Sequence, residues 1–160
     1  MSYWSKSFEG LPEYLTAVRE FTRLVAGDRE GADVMEMVAS ELAGNAIQHS
    51  ESGEPGGKFT LQVAGFPDRW QIRVIDEGGP TVPHICELPS IDSAEDLDYL
   101  GDEAEAGRGL AMIAAVSSVW GVIGDQTSRS VWAEILIPGT LRPERHPTVP
   151  EQCHWGRERR

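Results

Sequence analysis

Proline placement constrains this chain more than any other feature. A proline ring removes a backbone donor and clashes with the preceding turn, so helix interiors and central strands exclude it. The prolines are confined to Pro12, Pro55, Pro67, a cluster at Pro80, Pro83 and Pro89, and another at Pro138, Pro143, Pro147 and Pro150. None lies between Glu13 and Glu54 or between Ser90 and Ile137. Regular structure is expected in those two windows, with turns or a tail where the prolines gather.

The pattern inside the windows is readable. After a short strand at Tyr3 to Phe8, "LPEYLTAVREFTRLVAG" reads as a helix opened by Pro12 and closed by Gly27. Its apolar stripe is Leu15, Val18, Phe21 and Val25. Asp33 is expected to cap a second helix, with Glu36 as its capping-box partner. That helix should run to about His49, burying Val34, Val38, Leu42 and Ala46, before "ESGEPGG" breaks it. "KFTLQVAG" and "RWQIRVID" are strands joined by a turn at Phe66-Pro67-Asp68. Residues 80 to 106 read as a long acidic loop with room for one short helix. "GRGLAMIAAVSSVWG" then reads as a glycine-rich turn, a helix and the entry to a strand, and "SRSVWAEILI" as the final strand. There is no internal repeat. Runs of helices and hairpin strands, without a regular βαβ series, give an α+β, two-layer α/β sandwich.

Length and charge narrow the class. A chain of 160 residues suits one domain with one core. The expected division is a domain over 1–137 and a Pro/Arg-rich tail over 138–160. The formal net charge of −12 repels phosphate backbones and anionic lipid, so no nucleic acid or membrane surface is expected as a general partner. A nucleotide can still bind locally, at helix N-termini or through a metal ion. Cys86 and Cys153 give no disulfide framework and are expected to be reduced, in the cytoplasm. Combined with His84 and His154 they match no standard zinc spacing. "MSYWSKSFEG" lacks an apolar signal core, and no apolar run of about 18 residues occurs.

Three boxes carry chemistry. Glu41, Asn45 and His49 recur at intervals of four, and residues so spaced form one gently drifting helical stripe. Such a stripe suits an exposed helix face; it also suits a site where an amide and a carboxylate hold Mg²⁺ and orient a hydroxyl near a phosphate. In "VIDEGGP" an apolar strand ends at Asp76, followed by Gly78 and Gly79. This is either a tight turn or a part-buried carboxylate that accepts from an adenine amino group while glycine lets the base approach. In "GRGLAMI" Gly107 and Gly109 open a helix, with Arg108 between them and Leu110 following. That arrangement presents backbone N–H groups to an anion, or is an ordinary flexible helix entry. No Walker loop or dinucleotide fingerprint is present.

In this order, Glu41-x-x-x-Asn45, Asp76-x-Gly78 and Gly107-x-Gly109-Leu110 resemble the GHKL ATP-binding family of gyrase, heat-shock chaperones, histidine kinases and mismatch-repair ATPases. "SELAGNAIQHS", "GRGLAMIAAVSSVWG" and "SVWAEI" are similar to the wording of the anti-sigma-factor serine kinases and their actinobacterial-type relatives. The resemblance covers roughly residues 8 to 137. It implies a Bergerat-type fold, a mixed, largely antiparallel sheet covered on one face by helices. It implies ATP or ADP with Mg²⁺ as ligands, Glu41 as general base and Asn45 as metal ligand. His49, Gly107, Arg108, Gly109 and Leu110 would line the phosphate side. Asp76 and Gly78 would read adenine, and Ser130 would place a hydroxyl near the adenine end.

The activity implied is that of an anti-sigma-factor-like serine/threonine kinase. It would act on an anti-anti-sigma-like (STAS-type) partner and sequester a sigma factor, with a homodimer as a further expectation. Three departures leave a second reading open, a nucleotide-responsive binding module with little phosphotransfer. Gln48 stands where many relatives carry a basic residue, and Pro80 where another glycine is usual. The segment from Pro80 to Ala106 holds Glu87, Asp92, Glu95, Asp96, Asp98, Asp102, Glu103 and Glu105 with no Lys or Arg. Those acids form either a solvated surface or a dock for a basic partner, and the tail arginines are candidates to fold back on them. A histidine-kinase catalytic domain is disfavoured, since no dimerisation helix pair with a phosphoacceptor His precedes the domain.

Overall fold

The computed structural model is described for residues 1–80 and 102–137, with side chains left aside at 102–108. The acidic segment up to residue 101, Cys86, Cys153, the zinc-spacing histidines and the tail from 138 lie outside the described residues, as does the Arg108 side chain.

Five strands form one sheet: β1 (Ser2–Glu9), β2 (Lys58–Gly65), β3 (Arg69–Asp76), β4 (Val119–Gly124) and β5 (Arg129–Leu136). Their order is β1-β2-β3-β5-β4. Every described pairing is antiparallel, so the mixed sheet expected from the resemblance is fully antiparallel among the described residues. Three helices, α1 (Tyr14–Ala26), α2 (Ala32–His49) and α3 (Asp102–Val116), complete an α/β sandwich. No helix among the described residues is long and apolar enough to cross a membrane.

Alternation fixes which face of the sheet is buried. In β3 the buried phase is Trp70, Ile72, Val74 and Asp76, and in β5 it includes Arg129, Val131, Ala133 and Ile135. The apolar ones among these positions meet Val38, Ala39, Leu42, Ala43 and Ala46 of α2 in one core. The alanines let the helix lie close to the sheet, and each large apolar side chain fully buried there contributes roughly 1.5–3 kcal/mol. Trp70 is fully buried; its Nε1 donates to the Glu30 carbonyl at 3.3 Å, and the Arg29 guanidinium stacks 3.9 Å from its ring centre.

Two local expectations are corrected. α2 has no capping box: its N-cap is Gly31 at φ 83°, one residue before the helix, and Asp33 lies inside the first turn. Glu36 instead forms a salt bridge with Arg23 of α1 at 2.7 Å, tying the two helices together. α3 begins at Asp102, so Gly107 and Gly109 lie within the helix and do not open it. The residues before them explain this: Asp102, Glu103 and Glu105 favour the positive end of a helix, and Ala104 and Ala106 are the best helix formers.

Candidate functional site

The site is built along one side of α2, from the end of β3 to the middle of α3. At the first end, two charged residues occupy core-facing positions opposite one another. Asp76 closes β3 in phase with Val74, Arg129 opens β5 in phase with Val131, and the register makes them cross-strand partners. Arg129 Nε stands 3.5 Å from Asp76 Oδ2, and both side chains are only 3% exposed. Asp76 Oδ1 accepts the Gly78 N–H at 2.7 Å. Arg129 Nη2 donates to the main-chain oxygen of His49 at 3.2 Å, reaching the last residue of α2. Burial pushes the Asp76 carboxyl above its ordinary value, while the Gly78 N–H and the Arg129 guanidinium pull it part of the way back.

The backbone around Asp76 is tightly held. Gly78 has φ 74°, and a Cβ there would run into the Gln126 carbonyl on the β4–β5 turn. Gly79 N donates to that same carbonyl at 2.9 Å, and Glu51 N donates to the Gly78 oxygen at 2.8 Å. The turn is itself closed by Asp125, whose Oδ1 accepts from Thr127 Oγ1 at 2.6 Å, Thr127 N at 2.8 Å and Ser128 N at 3.2 Å. Those bonds hold its carboxyl below the usual range.

At the other end, Glu41 and Asn45 meet α3 at Gly109. A Cβ on Gly109 would lie 2.6 Å from Glu41 Oε2 and 3.9 Å from Asn45 Oδ1, so two side-chain oxygens converge where the glycine lacks a side chain. The Asn45 Nδ2 is buried and makes no hydrogen bond among the described residues. Glu41, Asn45 and His49 are all half-buried, as residues between two helices would be. Eight residues of helix separate Glu41 from His49, a rise of about 12 Å.

Over residues 8–132 the sequence matches the family model of the histidine kinase-like ATPase domain. The chain belongs to that ATPase family. It is an ATP-binding domain of the GHKL type. No curated protein matches it.

In this ATPase domain the expected site residues do not all sit together. Glu41, Asn45 and Gly109 converge, and Asp76, Gly78 and the His49 main chain gather at the other end. Leu110 is a core residue, 3% exposed, that anchors α3. Gly107 lies within α3, where its N–H faces along the helix and not toward an open end. Ser130 is corrected: it pairs with Ile75 and shares a face with Trp132 and Glu134, so strand alternation turns it away from Asp76. The residue beside Asp76 is Arg129, which sequence reasoning passed over. Its signal was present, a basic residue two before Val131 in the phase of the core.

Oxygen donors suit Mg²⁺ better than they suit softer metals, and the Asn45 and Glu41 oxygens at one glycine fit that ion. Among the described residues no group of three or more His, Cys, Asp or Glu side chains comes together as a metal site. The further ligands of such an ion would be waters and the oxygens of a bound nucleotide.

Proposed function

We propose that this ATPase domain is a Mg²⁺-dependent serine/threonine protein kinase of the anti-sigma-factor type, acting in the cytoplasm on a STAS-type anti-anti-sigma partner. The observation that carries the reading is the convergence of Glu41 and Asn45, midway along α2 and beyond, on Gly109, with Asp76 beside the C-terminal end of the same helix. Asp76 and Gly78 receive the adenine edge. Asn45 holds Mg²⁺, which when bound spreads the charge of the terminal phosphate. Glu41 accepts the proton of the partner's hydroxyl as that oxygen bonds to phosphorus and the nucleoside diphosphate leaves. The Gly109 position must stay without a side chain for Glu41 to keep its place.

A second reading has its own support. α3 is helical through Gly107 and Gly109, so their N–H groups are committed within the helix, and Gly109 lies directly against Glu41. A domain of this form binds nucleotide and presents a nucleotide-dependent surface to a sigma factor or STAS-type partner, without transferring phosphate.

Calorimetric titration with Mg-ATP, followed by transfer of labelled γ-phosphate to STAS-type proteins, separates the readings. Saturable binding lost in Asp76→Ala but kept in Glu41→Gln, with transfer lost in Glu41→Gln, is the kinase outcome. Binding with no transfer to any partner it captures gives the second reading. No binding by the folded protein removes both.

A further inference from the structure

We propose that Arg129 determines base selectivity: it fixes Asp76 as an acceptor-only carboxylate, so that the pocket takes a purine with a 6-amino edge and rejects one with a 6-keto edge. This rests on the reading of Asp76 as the base-contacting residue.

The geometry supports it in three steps. First, Asp76 occupies a core-facing position where a carboxyl would otherwise be driven toward its neutral form. A neutral carboxyl is both donor and acceptor and can face a keto oxygen as well as an amino group; an ionised one can only accept. Second, the partner that favours its ionised form is a guanidinium, whose charge stands 3.5 Å from Oδ2. That group is buried as deeply as Asp76 and lies across the strand pair from it. Third, Arg129 is itself held. Its Nη2 donates to the His49 oxygen, at the negative end of the α2 dipole, where a cation is favoured. Asp76 Oδ1 is meanwhile fixed by the Gly78 N–H. A carboxylate so held can be offered to a ligand without reorganising, and it still has lone pairs free after these contacts.

Arg129 is thus a specificity-determining and positioning residue. It contacts the group that reads the base. Loss of a residue that merely supports the fold would weaken every nucleotide alike. Loss of this one should weaken discrimination itself.

The test is calorimetric titration of Mg-ADP and Mg-IDP, whose bases differ at the 6-position, into the full chain. The proteins are wild type, Arg129→Met, Arg129→Lys and the double variant Asp76→Asn/Arg129→Met, in which no buried charge is stranded. Wild type is expected to prefer ADP by at least about 10-fold, and Arg129→Met to lose most of that ratio, because a site built on a fixed hydrogen-bonding group rejects the mismatched edge strongly. Arg129→Lys, which keeps the charge, should restore the ratio to within about 3-fold of wild type. The double variant, with an amide that can both donate and accept, should show little preference. An unchanged ADP to IDP ratio in both Arg129→Met and the double variant overturns the inference while leaving nucleotide binding intact. Tighter binding of both nucleotides to Arg129→Met also overturns it, since the guanidinium would then be a plug in the base site. Wild-type protein that binds neither nucleotide overturns this inference and the underlying reading together.

Discussion

Asp76 and Arg129 do not lose equally when parted. Arginine cannot shed its proton, so Asp76→Ala leaves a buried, unneutralised cation, at a cost on the order of 3–5 kcal/mol. Arg129→Met leaves a carboxyl that can escape by taking up a proton. Burial already raises Asp76, and Arg129 is one of the groups lowering it, so removing Arg129 raises it further. For a group raised on folding, the folded state holds more protons than the unfolded state between the two pKa values. The stabilising contribution is therefore complete below the ordinary carboxylate value and is lost as pH rises through the folded value. In urea denaturation, the deficit of Arg129→Met relative to wild type should shrink as pH is lowered from about 8 to about 5. The stability of Asp76→Ala itself should lack that carboxyl's titration. Equal deficits for Arg129→Met at both pH values would show that Asp76 stays ionised without its partner.

At the scale of elements, α3 and α2 meet through a missing side chain. Gly109 lies inside α3, where glycine costs up to about 1 kcal/mol relative to alanine, so Gly109→Ala should help the helix. The new methyl would collide with Glu41 Oε2, which is the mobile end of a side chain and can move aside. The two effects separate stability from chemistry. Gly109→Ala should melt at or above the wild-type temperature, keep nucleotide affinity within a few-fold, and lose phosphotransfer at least about 10-fold through the displaced base. Full activity with Glu41 displaced would remove that residue from the reaction. This helix also shows where the sequence was hard to read. β2, β3 and α1 were legible because period-2 and period-3.6 patterns run through them uninterrupted, bounded by Pro67 and Gly27. The start of α3 was not, because two glycines suggest a break, whereas the acids and alanines before them propagate a helix into them. Spacing placed Glu41 and Asn45 on one stripe of α2, but only the resemblance singled that stripe out from an exposed helix face. Arg129 shares the core phase of Val131, but only its pairing to Asp76 shows what it meets there.

Across the whole molecule, two kinds of negative charge oppose a nucleotide, and they respond differently to ions. The net charge of −12 belongs to the chain as a whole, with eight acids and no Lys or Arg in residues 80–106, and at physiological ionic strength exposed charges beyond about 8 Å are largely screened. Glu41 is local. Its carboxylate lies at the Gly109 end of the site, where the terminal phosphate would be, and monovalent salt screens a half-buried neighbour poorly. On the proposed reading a divalent cation at Asn45 would offset that local repulsion directly, so raised monovalent salt should not replace it. A ligand at about 100 times its Kd stabilises by about 2.7 kcal/mol. For a domain of this size that corresponds to a rise in Tm of roughly 5–10 °C. Mg-ADP should produce such a rise in a melting scan. ADP with a chelator should produce little, with or without added sodium chloride, and Asn45→Ala should behave in Mg-ADP as wild type does with chelator. An undiminished rise under chelation would mean that the Asp76 end binds the nucleotide unaided, and Asn45 would then have no part in holding a metal.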